Sequence, residues 1–185
     1  MELGQAIYSR RAVRAYTSEP LDRVIITRLI DAAIQAPSAV NEQAWSFTVI
    51  QNRALLKQIS SQAKAFVLAS PPHGVSGAHL QHLVADPNYD IFYDAPALIV
   101  ISSTKAGPWA IENCTLAAEN LMLAACAEGL GSCWIGFAQG WLGTAEGRAA
   151  IGLPAGDTQI APITAGHPRS TPPPVPRNRP EIRWI

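Results

Sequence analysis

The chain has 185 residues, a length that suits a single domain able to bury a sizeable core. With 48% hydrophobic and 15% charged residues, its composition is that of a globular protein rather than a disordered one. Fourteen basic residues balance fourteen acidic ones, which argues against a nucleic-acid-binding or membrane-surface protein.

The cysteines and the N-terminal residues indicate a reducing compartment. Cys114, Cys126 and Cys133 are odd in number and form no CxxC pair, which disfavours a disulfide framework, an iron–sulfur cluster and a zinc site. The opening MELGQAIYSRR lacks the apolar stretch of a signal peptide, and no apolar run reaches the roughly 20 residues of a membrane span. We therefore expect a cytoplasmic protein.

The first part of the chain is predicted to contain three helices and one strand. The run LDRVIITRLIDAAIQAP places Ile26 and Leu29 on one helical face, and Pro37 stops the helix. WSFTVIQ is rich in aromatic and β-branched residues, which are typical of a strand. The other two predicted helices lie at 3–9 and 54–66.

Residues 70–94 break this regular pattern. The segment contains Pro, Gly, three Asp and the three histidines His73, His79 and His82. His79 and His82 are three residues apart, but no Glu or Cys stands at ligand spacing, so a polar loop is favoured over a metal site. We expect a mobile cover or an insertion here.

The rest of the chain alternates between strand and helix. APALIVIS predicts a strand buried on both faces, and WAIENCTLAAENLMLAACAEGLG predicts a long helix that is apolar nearly all round and therefore buried, centrally or between subunits. SCWIGF and QIAPITAG predict two further strands. The pattern predicts an α/β or α+β domain with a central sheet over residues 1–185, and its tail at 167–185 is too Pro-rich for an internal strand.

Three arginines follow the first predicted helix within the run SRRAVRAY. Arg10, Arg11 and Arg14 repel one another unless an anion or carboxylates sit among them, and arginine is the usual ligand of phosphate. A solvated helix C-terminus explains the same residues, and for this cluster alone it is the commoner use.

The stretch APSAVNEQAW gathers polar side chains where a helix meets a strand. Pro37, Ser38 and Asn41 suit a helix stop and a turn. Alternatively, the amides of Asn41 and Gln43 offer donors and acceptors to the edge of a planar heterocycle.

The run EGLGSCWIG places three glycines, Gly129, Gly131 and Gly136, around the end of the long helix. They permit close backbone approach to a flat ligand, although a helix C-cap and a tight turn are the commoner use. The run is neither a Walker loop nor a GxGxxG fingerprint.

Taken together, these segments resemble the FMN-dependent nitroreductase family, in particular its compact members. The matching runs are SRRAVRAY, APSAVNEQAW, AENLMLAACAEGLGSCWIG, and ITAGHP with the basic, Pro-rich tail ending in RPEIRWI. They occur in the family's order and span nearly the whole chain.

The resemblance implies an α+β fold of nitroreductase type, with a central mixed sheet flanked by helices. It also implies an intertwined homodimer with FMN at the interface. NADH or NADPH would reduce the flavin by two electrons, and a nitroaromatic, quinone, flavin or enone would reoxidise it. Because the flavin carries this chemistry, no catalytic side chain and no metal are expected, and two substrates that take turns at one flavin face predict ping-pong kinetics.

The resemblance also assigns cofactor-binding residues. Arg10, Arg11 and Arg14 would hold the phosphate and ribityl chain, and one or both of the tail arginines Arg177 and Arg179 would complete the phosphate site. The turn residues of APSAVNEQAW would line the flavin from the partner subunit. Gly131 would lie nearest the flavin ring. Besides the first three arginines, the set comprises Pro37, Ser38, Asn41, Gln43, Gly131, Arg177 and Arg179. Two departures from the family pattern, Ala12 for Ser and Ala44 for Pro, remove neither a charge nor an amide.

Two alternatives to a nitroreductase with several acceptors stay open. A dehydrogenase or dehalogenase with one dedicated substrate would keep the fold and flavin, and a flavin-binding protein without turnover would keep only the cofactor. The sequence leaves open the physiological acceptor and the choice between NADH and NADPH. A dimer is expected independently, because the all-apolar helix and the tail end Ile182, Trp184 and Ile185 need partners to bury against.

Overall fold

A four-stranded sheet forms the centre of the computed structural model, which describes residues 1–71 and 78–185, with side chains for 1–71 and 82–185. The strands are β1 (Trp45–Ile50), β2 (Ala97–Ser103), β3 (Gly131–Trp134) and β4 (Thr158–Gly166). Their order is β1-β2-β4-β3, and all three pairings are antiparallel. The parallel component of the predicted mixed sheet is the isolated bridge from Ala12 to Ser132.

Seven α-helices are assigned in the described part of the chain. They are α1 (Leu3–Ser9), α2 (Arg23–Ala33), α3 (Arg53–Ala69), α4 (Ala78–Ala85), α5 (Ala110–Ala127), α6 (Gly136–Leu142) and α7 (Ala145–Ala150). A short 3₁₀ turn at Ala39–Asn41 precedes β1. None of these helices combines the length and hydropathy of a membrane span.

Strand β2 separates two apolar layers. Every residue of β2 is buried, including Ser102 and Ser103 at its end, as expected for a strand that begins with five apolar residues. Because side chains alternate along a strand, Ile99 and Ile101 pack into the layer formed with α2 and α5. Leu98 and Val100 pack into the layer formed with α3 and α6. The sheet is therefore covered by helices on both faces.

Helix α5 buries one face and exposes the other. Cys114, Ala118 and Leu121 are fully buried against the sheet. Ile111 and Leu116 are 64% and 46% exposed. The described part of the chain therefore covers only some of the apolar side chains of α5. The prediction of a long helix is confirmed, and its outer apolar face lacks cover within the described residues.

Two predictions of elements are corrected. The strand predicted for SCWIGF ends at Trp134, and α6 begins at Gly136 because Ala138, Trp141 and Leu142 form a buried helical face. The irregular segment 70–94 contains helix α4. Part of the predicted cover, residues 72–77 with His73, lies outside the described residues. The side chain of His79 also lies outside them.

Candidate functional site

Segment 10–14 follows α1 as an extended chain and lies between two cavities. The backbone N–H of Val13 donates to the Ser132 carbonyl of β3 at 3.0 Å. Arg10 and Arg11 border one of these cavities, and Arg14 borders the other. The predicted arginine cluster is therefore divided between two sites on one segment.

The first cavity, called the large cavity below, has a volume of about 330 Å³. Its lining is one cation, one phenol and a mainly apolar run: Arg14, Tyr93 and residues 133–137. Within residues 1–71 and 82–185, no carboxylate forms an ion pair with Arg14. A largely apolar wall with few polar groups suits a flat aromatic molecule.

Cys133 lines the large cavity but is poorly suited to nucleophilic attack. Burial raises the pKa of its thiol, and the nearby guanidinium groups of Arg14 and Arg10 only partly offset that rise. The reactive form of cysteine is the thiolate, so a raised pKa keeps this side chain inert near neutral pH.

The second cavity, called the small cavity below, measures about 190 Å³ and is bordered by Arg10, Arg11 and Ser132. Arg10 Nε lies 3.4 Å from Glu119 Oε1. Arg11 Nη1 donates to the carbonyls of Tyr8 and Arg10, at 2.7 and 2.8 Å, while its Nε is buried without an acceptor. A buried guanidinium N–H without an acceptor is costly, and an anion such as phosphate would satisfy it.

The glycines around β3 have different surroundings. A Cβ added at Gly131 would lie 2.7 Å from the Cβ of Val13, so this glycine allows segment 10–14 to pack closely on β3. Gly136 borders the large cavity, and an added Cβ would meet only Gln139 Oε1, at 3.8 Å. That Gly131 lies nearest a flat ligand stays a prediction, and Gly136 is the glycine that the cavity lining includes.

Gly129 acts as a helix C-cap. It adopts φ +76°, and the N–H of Leu130 donates to the carbonyl of Ala125 at 2.8 Å, which ends α5. Of the two uses considered from the sequence, the helix C-cap is therefore the one observed at Gly129.

The stretch APSAVNEQAW forms a strained, exposed turn. Val40, Asn41 and Gln43 adopt positive φ angles of 45°, 54° and 50°. The turn bonds to itself, because Ser38 Oγ accepts from the Gln43 N–H at 3.0 Å and Asn41 Oδ1 accepts from Gln43 Nε2 at 2.8 Å. Pro37 and the other predicted turn residues border neither cavity of the same chain.

Asn113 of α5 anchors this turn. Its buried Oδ1 accepts from the Ala39 N–H at 2.9 Å, and its backbone carbonyl accepts from Trp45 Nε1 at 3.1 Å. The turn is thus fixed at the N-terminal end of α5, beside the exposed Ile111.

The tail begins at the small cavity and then leaves it. Pro168, Thr171 and Pro172 contribute to the lining of the small cavity. Arg177 and Arg179 follow in an exposed stretch that has no helix or strand. Their assignment to a phosphate site stays a prediction.

Tyr93 borders the large cavity and was not identified from the sequence. Its hydroxyl oxygen accepts a hydrogen bond from the Tyr89 hydroxyl at 3.0 Å, and the two rings meet edge to face, with centroids 5.9 Å apart. The available signal was a pair of tyrosines four residues apart, just before a buried strand.

The sequence model of the Nitroreductase family matches residues 7–167. A protein of Archaeoglobus fulgidus with the provisional name NADH dehydrogenase/NAD(P)H nitroreductase is 34% identical over 112 residues, which cover 60% of this chain and 58% of that protein. The chain thus spans less than two thirds of the length of that relative.

Two crystal structures resemble the fold over its whole length. A nitroreductase with bound FMN from Bacteroides fragilis NCTC 9343 has a TM-score of 0.86 and 25% identity, and covers 100% of this chain and 99% of its own. A nitroreductase with bound FMN from Desulfitobacterium hafniense DCB-2 has a TM-score of 0.83, 26% identity and the same coverage. The predicted α+β fold of nitroreductase type is confirmed.

Proposed function

Because this chain belongs to the nitroreductase family, we propose that it is an FMN-dependent NAD(P)H oxidoreductase that reduces nitroaromatic, quinone or related acceptors by two electrons. The observation that carries the proposal is the pair of cavities on either side of segment 10–14. One is largely apolar, and the other is bordered by Arg11, whose buried Nε has no acceptor. A molecule with a flat ring at one end and a phosphate at the other matches both.

The residues of this chain fit FMN in chemical type. The large cavity would hold the ring against residues 133–137, with Arg14 beside its polar edge or the ribityl chain. Arg10 and Arg11 would hold the phosphate, and the buried Nε of Arg11 would gain the acceptor it lacks. When bound, FMN supplies the two-electron redox chemistry, so the protein has to bind, orient and shield its reactants.

We propose that NAD(P)H and the acceptor use the large cavity in turn. Its volume of about 330 Å³ is at the lower end of ligand cavities and would not admit a flavin ring and two further reactants together. Alternate occupancy predicts ping-pong kinetics with parallel double-reciprocal lines. Intersecting lines would contradict it.

The working unit is proposed to be a twofold dimer. Helix α1 packs against α5, and both helices expose apolar side chains: Leu3, Ile7, Ile111 and Leu116 are each at least 46% exposed. Val40, in the strained turn, is 91% exposed. A second copy packed on this face would bury them and could bring Pro37, Ser38, Asn41 and Gln43 to the cavity of its partner.

The test is a comparison of FMN and riboflavin binding by the purified protein and two arginine variants. Arg11→Ala should weaken FMN binding about ten- to a hundredfold and leave riboflavin binding unchanged, because it removes a charged donor to phosphate alone. Arg14→Ala should weaken both ligands.

Arg23→Ala serves as the control, because Arg23 is an exposed arginine of α2 that borders neither cavity. If Arg11→Ala and Arg23→Ala bound FMN equally well, the phosphate assignment would be wrong. If the wild-type protein took up no FMN, the proposed function would fail.

A further inference from the structure

The chain enters β2 through a strained turn. Tyr93 and Asp94 adopt φ angles of 57° and 58°, the left-handed region that side-chain-bearing residues rarely occupy. Glycine would adopt this conformation without strain, yet neither position is glycine. Such strain persists only where surrounding contacts enforce it, and it concentrates at functional sites.

An ion-pair network of Lys57, Asp90 and Asp94 enforces the turn. Asp90 Oδ1 accepts from the Phe92 N–H at 3.0 Å, and Asp90 Oδ2 accepts from the Asp94 N–H at 3.1 Å. Lys57 Nζ, on α3, donates to Asp90 Oδ2 at 3.0 Å and to Asp94 Oδ1 at 2.6 Å. The network explains why position 94 is aspartate, since its carboxylate binds the same ammonium.

The network does not explain the side chain at position 93. The Tyr93 N–H donates to the Asp90 carbonyl at 3.0 Å, but the phenol forms no hydrogen bond with the three network side chains and instead borders the large cavity. Its hydroxyl oxygen is occupied by the Tyr89 hydrogen bond, and within the described residues its own O–H has no acceptor. Burial and this bond raise the pKa of Tyr89, which keeps Tyr89 protonated and donating.

The strained turn therefore presents a hydrogen-bond donor to a mainly apolar cavity. The Tyr89 hydroxyl holds the phenol oxygen of Tyr93, and the network fixes the backbone. The only other charged or hydroxyl-bearing side chain in the described lining is Arg14, which is proposed to serve the cofactor.

We propose that Tyr93 is a specificity-determining residue whose hydroxyl donates a hydrogen bond to an oxygen of the electron acceptor, with Tyr89 as its positioning residue. The inference rests on the proposed function. Among the acceptors already proposed, it favours those whose nitro or quinone oxygen can accept this hydrogen bond. Acceptors of equal shape without such an oxygen gain nothing from Tyr93.

The experiment measures binding to the FMN-loaded, oxidised protein in the absence of NAD(P)H, through the change in flavin absorbance. The probes are nitrobenzene and isopropylbenzene, which are similar in size, but isopropylbenzene carries two methyl groups where nitrobenzene carries two hydrogen-bond-accepting oxygen atoms. Tyr93→Phe should weaken nitrobenzene binding about three- to tenfold, the range for one neutral hydrogen bond, and isopropylbenzene binding less than about twofold.

Tyr89→Phe should weaken nitrobenzene binding by a smaller factor and leave isopropylbenzene binding unchanged. If Tyr93→Phe fails to fold, the inference is tested with Tyr89→Phe instead. Tyr8→Phe is the matched control, since Tyr8 is 83% exposed on α1, and it should behave as wild type.

Equal losses for both probes, or no loss for nitrobenzene, would overturn the inference. Loss of FMN itself from Tyr93→Phe, with FMN retained by the wild type, would assign Tyr93 to the cofactor; it would overturn this inference and leave the proposed function standing. A wild-type protein that takes up no FMN would overturn both.

Discussion

Replacing Gly131 by alanine tests the close packing of segment 10–14, which lies between the two cavities, on strand β3. The added methyl carbon would lie 2.7–2.8 Å from three side-chain atoms of Val13, whereas ordinary contact begins near 3.4 Å. Val13 would have to move by about 0.7 Å, the difference between 3.4 and 2.7 Å. That movement strains the 3.0 Å hydrogen bond from the Val13 N–H to Ser132.

Overpacking of this kind costs about 1–3 kcal/mol in free energy of unfolding. For a chain of this size, each kcal/mol lowers the melting temperature by about 2–4 °C. Urea unfolding of the flavin-free protein is the assay, because flavin-free protein reports packing alone. We expect Gly131→Ala to be destabilised by this amount before any cofactor is added.

Gly136→Ala is the matched control from the other side of β3. Its methyl group meets only Gln139 Oε1 at 3.8 Å, but it intrudes on the large cavity. It should leave the stability of the flavin-free protein unchanged and weaken FMN binding. If Gly131→Ala unfolded like wild type and only FMN binding fell, Gly131 would serve the ligand and the packing argument would be refuted.

Three further predictions concern the strained turns and the dimer. Asp90→Asn should lower the free energy of unfolding by about 1–3 kcal/mol at pH 7, because two N–H groups lose a charged acceptor. Although burial alone would raise the pKa of Asp90, hydrogen bonds from Phe92, Lys57, Ser60 and Asp94 lower it. The stability that Asp90 contributes is therefore present above about pH 4 and is lost as the pH falls further. If the difference in unfolding free energy between wild type and Asp90→Asn did not narrow in acid, this explanation would be contradicted. Asn113→Ala should cost a similar amount in urea unfolding by leaving the Ala39 N–H without its acceptor, and unchanged stability would refute that anchor. Leu116→Glu should sediment as a monomer where the wild type sediments as a dimer, and a wild-type monomer at micromolar concentration would count against the dimer.

Elements with strong patterns were predictable from the sequence. The apolar run of β2 and the one-sided periodicity of α2 each identify their element, because burial on both faces or on one face leaves that pattern. Helix α6 was missed because its first residues continue the aromatic and β-branched run of β3. The choice of helix after Trp134 depends on burying Trp141 and Leu142, a tertiary effect.

Candidate site residues could be named from the sequence, but their arrangement in space could not. The arginine run indicated an anion site, yet its division between two cavities depends on an extended backbone paired with β3. The pair of tyrosines at 89 and 93 does not by itself identify Tyr93 as a site residue, because the turn that orients it depends on Lys57, which lies 33 residues before Asp90. Contacts at such separation leave no periodicity along the chain.

The central claim is that this chain carries a flavin that NAD(P)H reduces. The most direct test is the visible spectrum of the purified, desalted protein under argon, before and after addition of NADH or NADPH. The proposed function predicts a flavin spectrum that bleaches on addition and returns with air or a quinone. A flavin that never bleaches, or a colourless protein that takes up no added FMN, would contradict it.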